Sequence, residues 1–201
     1  VSSAVKETAP SVPLLRYGDT DGDGVIDQLH TMGGRGISIF RQNADGTITK
    51  VRETGGEFEK IFAALSPERF NNDQVVGNTP DDRSDNKGPE PEGVTIGTVN
   101  GRIYAFVGLE RQSGVIVYDV TDPANASYVS YVPPLPGATT DLGPEVLSFI
   151  AADRNPTGTP LLVSANEVAN GGAVLYAALP QGFTQEIGFA ANSLSVGKAE
   201  G

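Results

Sequence analysis

An all-β fold is predicted by this sequence on three observations. Turn formers recur at short intervals, with 25 glycines and 14 prolines among 201 residues. The apolar runs between them are short and rich in Val, Ile and Tyr, the residues that suit a pleated, half-buried surface. The pattern also repeats: 57 residues separate Glu110 from Glu167 and 58 separate Tyr118 from Tyr176, at matching points of two similar stretches.

The elements follow in order. Residues 1–13 are polar and proline-bearing and read as a lead-in. Beyond the acidic stretch DTDGDGVID, residues 28–32 and 36–40 are short strand candidates, and Asn43-Ala44-Asp45-Gly46 makes a turn from which 47–51 returns. Phe58, Ile61, Phe62 and Leu65 fall at i, i+3, i+4 and i+7, with Pro67 just beyond, so 57–65 is the one predicted helix. Residues 71–92 lose their apolar members after Val76 and read as a long polar loop, too polar to bury.

After that loop the strand signal strengthens. Residues 93–99 and 102–109 flank Asn100-Gly101, the dipeptide preferred in two-residue hairpins, and 114–120 and 128–132 add two more strands. Residues 143–150, 160–167 and 172–176 repeat the first three of these. With the weaker copy near 28–40 this makes about three four-stranded sheets, the size of propeller blades. A ring of radial sheets closes at ~4–8. The expectation is therefore a single domain over 1–201 that is part of a β-propeller and a fragment of a longer chain, completed by the remainder of that chain or by other copies. A two-sheet sandwich is the alternative.

Composition narrows the partners. A formal net charge of -11 repels nucleic acid and anionic membranes, and no basic run overrides it. The absence of cysteine removes disulfides, thiolate metal sites and cysteine nucleophiles. No apolar segment approaches the ~20 residues of a membrane span.

The stretch Asp19 to Asp27 fits a hand-type calcium loop through nine positions. Asp19, Asp21 and Asp23 stand at positions 1, 3 and 5, Gly24 at 6, the carbonyl of Val25 at 7, Ile26 at 8 and Asp27 at 9. Position 12 is His30 instead of the usual bidentate Glu. Four carboxylates so spaced repel one another unless a cation joins them, which favours Ca2+ over the alternative of a merely solvated acidic turn.

A second acidic set spans the long loop and the repeated strands: Asp81, Asp82, Asp85, Glu90, Glu92, Glu110, Glu145 and Glu167. The repeat matches Glu92 with Glu145 and Glu110 with Glu167, so each pair is expected on one face of the ring. Asp85, Glu90, Glu92 and Glu145 are candidates to hold a catalytic metal, with Arg83 or Lys87 orienting a phosphate and Arg111 close by. Plain hydrogen bonding at strand ends is the alternative for all of them. Ser84 lacks a histidine partner, since His30 is the only one in the chain. Asn125-Ala126-Ser127 is a glycosylation sequon, a signal short enough to arise by chance.

Residues 19–40, 82–110, 114–123 and 142–167 resemble the choice-of-anchor I family, most specifically in RSDNKGPEPEG followed by YAFVGLER. That family comprises secreted or surface-anchored bacterial propellers often labelled alkaline-phosphatase-like, similar to mesenchyme-specific cell-surface glycoproteins of animals. The resemblance implies an extracellular, calcium-bearing propeller acting at the cell surface, with cell-envelope or surface-layer components as partners. The phosphatase label implies a metal-dependent phosphomonoesterase as the alternative function.

Overall fold

The computed structural model describes residues 19–25, 27, 34–73, 80–84, 87–134, 142–168, 172–179 and 182–190. The strand expected at 28–32 lies outside them, as do Ile26, His30 and Asp85. The described residues form an all-β arrangement of three small antiparallel sheets with one short α-helix. The first sheet pairs β1 (Ser38–Gln42) with β2 (Ile48–Glu53) across the Asn43–Gly46 turn. The second is a meander of β3 (Pro91–Val99), β4 (Arg102–Leu109), β5 (Val115–Asp119) and β6 (Ser127–Val132). The third repeats that order with β7 (Pro144–Ile150), β8 (Leu161–Asn166), β9 (Gly172–Leu179) and β10 (Gly182–Ala190).

The middle of the central sheet, β5 and most of β4, is buried on both faces, which explains why these strands read as near-continuous apolar runs. All five residues of β5 are buried. Ile116 and Tyr118 pack one way, with Ala105, Val107 and Leu109, against α1 (Glu57–Leu65) and Ile37 and Ile39. Val115 and Val117 pack the other way, with Phe106, against Leu147, Leu162, Val174 and Tyr176 of the third sheet. Period-two alternation thus divides one strand between two cores.

Two glycines set how closely the second and third sheets approach. A Cβ on Gly97 would stand 2.5 Å from the Phe149 ring, and one on Gly93 would stand 2.7 Å from the Glu145 carbonyl oxygen. Without those side chains Phe149 slides in to stack on Phe106 with ring centroids 5.6 Å apart. Stacking of this kind adds to the area buried. Ser113 ties the same junction together: its carbonyl accepts from the Tyr131 hydroxyl at 2.7 Å and its Oγ accepts from the Gly143 amide at 3.1 Å.

The helix spans the expected residues. Glu57 and Glu59 stand in its first turn, where the helix dipole favours negative charge. Phe58 and Phe62 are fully buried, Phe58 tilted against Tyr118 and Phe62 edge-on to Tyr131 at 4.8 Å. Leu65, expected on the same stripe, is 60% exposed because the helix ends there and turns away through Pro67.

Three expectations need correction. The first sheet has two strands among the described residues rather than four. The loop expected over 71–92 gives way to β3 at Pro91. Nor is it too polar to bury: Asn71, Asn72, Asp73 and Glu90 are buried. Burial is tolerated where the polar groups are bonded, although Asn71 Oδ1 accepts no hydrogen bond. The Asn71 amide donates to Glu59 at 2.6 Å and to Ser84 Oγ at 3.0 Å, and Arg35 donates to Glu59 and to the Ser84 carbonyl, each at 2.5 Å.

Candidate functional site

Two acidic centres stand apart in character. In the Asp19–Asp27 loop, carboxylate oxygens of Asp19, Asp21 and Asp27 lie within 4.8 Å of one another. Gly22 and Gly24 adopt positive φ, +81° and +85°, where side chains are strained, and this curls the chain around its own carboxylates. The amides of Gly22 and Gly24 donate to the two oxygens of Asp19 at 2.8 and 2.9 Å. Thr20 donates through its hydroxyl, at 2.8 Å, and its amide to Asp27, and these bonds hold the Asp27 carboxyl below its usual range. Asp23 accepts from the Val25 amide at 2.7 Å and is not among the three that converge.

The donor set suits a hard cation. Three carboxylates on a tight glycine turn are the oxygen ligands that calcium takes, whereas nitrogen- or sulfur-seeking metals find none of their preferred donors in the described loop.

The second centre lies where β3 and β4 meet β7 and β8. Gly88 and Glu90, both with positive φ (65° and 50°), bend the chain into β3, and the Glu110 amide bonds the Glu90 carbonyl at 2.8 Å. Glu90, Glu92 and Glu110 form one group with oxygens within 4.8 Å, and Glu110, Glu145 and Glu167 form a second that shares Glu110. Of the expected pairs, Glu110 and Glu167 share one group, whereas Glu92 and Glu145 fall in different groups linked by Glu110.

Cations from the loop interleave with these acids. Glu90 is ion-paired with Arg83, with Lys87 at 2.5 Å and with Arg111 at 3.7 Å. Arg111 also reaches Glu110 at 2.5 Å and Glu167 at 4.0 Å, while Arg83 extends to Asp73 at 3.6 Å. Burial alone would raise the Glu90 carboxyl, but hydrogen bonds from Lys87 and Arg83 outweigh it and hold it below the usual range. The Lys87 ammonium is correspondingly raised by its bond to Glu90.

Glu110 goes the other way. Burial, then hydrogen bonding with Glu90 and Glu167, pushes it up to about 8, so that it keeps its proton at neutral pH. Glu145 is raised by burial and by the charges of Glu92 and Glu167. A carboxylic acid among carboxylates acts as a donor, and one proton here relieves repulsion that three cations leave uncompensated.

Ser84 donates to Asp81 and accepts from Asn71, with no basic partner that would activate it. Sequence reasoning missed Asp73, Asn71, Glu59 and Arg35, which position the loop carrying Arg83 and Lys87. No local motif signals them, because each acts on a residue at least ten positions away.

The comparisons can now be set beside this geometry. The model of the choice-of-anchor I domain matches residues 7–123, more than half of the chain. Gigasin-3a from Magallana gigas is 30% identical over 158 residues, covering 70% of this chain and 55% of that protein. The mesenchyme-specific cell surface glycoprotein of Strongylocentrotus purpuratus is 32% identical over 113 residues, 52% of this chain and 14% of its own length. No solved structure matches. With a family model covering most of its first two sheets, the Asp19–Asp27 loop and Glu90, Glu92 and Glu110 of the second centre, the chain belongs to the choice-of-anchor I family.

Proposed function

We propose that the chain is an extracellular cell-surface module with a structural or binding role, built as part of a β-propeller and stabilised by calcium in the Asp19–Asp27 loop. Support for the surface role comes from the family and from the cell-surface glycoprotein among the relatives. Support for the ring comes from the third sheet packing on one face of the second while the helix, with Ile37 and Ile39, packs on its other face. The remainder of a longer chain or other copies would complete that ring, and cell-envelope components are the natural ligands of such a module.

The observation that carries the calcium reading is the convergence of Asp19, Asp21 and Asp27 on a turn whose amides already orient Asp19. The phosphomonoesterase alternative draws less support. Glu90, the most buried of its carboxylates, has its oxygens engaged by Lys87 and Arg83, and Asp85 is not among the described residues.

Thermal melting and bound-metal content of the purified protein, with and without a calcium chelator, test the reading. Stoichiometric calcium and a melting point lowered by chelation are expected. An unchanged melting point with no bound metal would reduce the loop to a solvated acidic turn.

A further inference from the structure

We infer that Asn125 is an N-glycosylation site whose carboxamide nitrogen takes an oligosaccharide from a lipid-pyrophosphate donor. The inference rests on the extracellular reading above, since a chain meets such a donor during export. The step balances within those two reactants. A bond forms between Asn125 Nδ2 and the anomeric carbon of the first sugar, the bond from that carbon to the pyrophosphate oxygen breaks, and the amide proton leaves with the lipid pyrophosphate. The acceptor has to be an exposed Asn-x-Ser/Thr tripeptide with x other than proline, and Asn125-Ala126-Ser127 is the only such tripeptide in the sequence.

The fold displays this tripeptide to solvent. Asn125 ends the single-turn helix Pro123–Asn125 between β5 and β6, and Ser127 opens β6. Both are exposed, while Ala126 between them is 3% exposed and packs in the core around Tyr118. Burial of the middle residue pins the segment and leaves the acceptor carboxamide and the hydroxyl on the solvent side. Asn125 Nδ2 donates to Asp122 at 2.8 Å, and Asp122 also accepts from the Ala124 amide at 3.1 Å, so the carboxamide is held in place by one of its two N–H groups. The sheet ends at β6, which is hydrogen-bonded to β5 alone among the described strands, so a branched sugar at the start of β6 displaces no ladder partner. Asn155-Pro156-Thr157 has the same spacing and is the built-in control. Proline stands at its centre, and Asn155 Nδ2 is tied to Thr157 Oγ1 and to the Thr159 carbonyl, each at 2.6 Å.

Peptide mapping of the protein purified from its natural source tests the inference. The tryptic peptide that runs from Gln112 to Arg154 is expected to carry a sugar and to lose it to peptide N-glycosidase, which in heavy-oxygen water leaves a labelled aspartate at position 125; Asn155 is expected to be unmodified. Ser127→Ala, made in the same source, should abolish the sugar and Ser127→Thr should keep it. An unmodified Asn125 in protein recovered outside the cell overturns the inference and leaves the extracellular reading standing. A sugar that survives Ser127→Ala also overturns it, because attachment then does not depend on this tripeptide. Protein found only inside the cell removes the extracellular reading and the inference with it.

Discussion

The two acidic centres hold comparable numbers of carboxylates and resolve their repulsion in opposite ways. In the Asp19–Asp27 loop the acids are largely exposed and are oriented by backbone amides and a threonine, with no basic side chain among their hydrogen bonds. Between the second and third sheets, Glu90 and Glu110 are buried and answered by Arg83, Lys87, Arg111 and a retained proton. Charge in water is compatible with capture of a cation from solution. Charge inside a junction has to be neutralised by the protein itself, which makes that centre a fastening before it is anything else.

The largest effect should come from breaking the buried centre. Glu90→Ala leaves Arg83 and Lys87 without their principal partner and should cost about 3–5 kcal/mol, the range for breaking a buried ion pair. Chemical denaturation would read it. A loss no larger than that of an exposed pair such as Lys50–Glu53 would mean that the cations simply turn to solvent.

Next in size is the packing beside it. Gly97→Val drives a side chain into the Phe149 ring and should cost about 1–3 kcal/mol through overpacking. Thermal unfolding would show it as a drop of roughly 2–12 °C for a chain of this size. A variant as stable as the parent would show that the two sheets separate easily.

Calcium sharpens the other side of the comparison. At free calcium 100-fold above its dissociation constant, binding should add about 2.7 kcal/mol to stability, and chelation should remove it. Asp21→Asn should blunt the response to chelator. The response of Glu90→Ala should match the parent's, and a response lost in both would mean that the two centres are coupled.

The smallest effect is on pH dependence. Because Glu110 is raised when folded, its protonated form is favoured by folding, and that contribution is full below the ordinary carboxylate range and lost as pH rises through about 8. Glu90 is lowered, so its contribution is present at neutral pH and lost as pH falls through its depressed range. Melting temperature should therefore decline between about pH 5 and 9. Glu110→Gln should flatten that limb, and an unaltered slope would place the proton elsewhere.

Much of this was legible in the sequence. The helix boundaries, the Asn100-Gly101 hairpin and the two repeated meanders follow from periodicity and turn chemistry, which act over a few residues. The matched glutamates followed from the repeat, since equivalent strand ends must fall at one edge. What stayed hidden depends on distant partners. Asn71 and Asp73 read as loop polarity until Glu59, Ser84 and Arg83 are seen to satisfy them, and Glu110 reads as an ordinary anion until its neighbours are assembled around it.

The meander order of the central sheet also bears on how the chain comes together. Each of its strands follows its neighbour directly, so β3 to β6 can assemble by short loop closures as soon as Val132 has been synthesised, before the third sheet exists. Until β7 to β9 arrive, Phe106, Val115 and Val117 form a greasy flank open to the wrong neighbour, and growth of the chain itself supplies the cover. A polypeptide built this way matures like a row of tiles laid in sequence, each one vulnerable only along the edge that the next will hide.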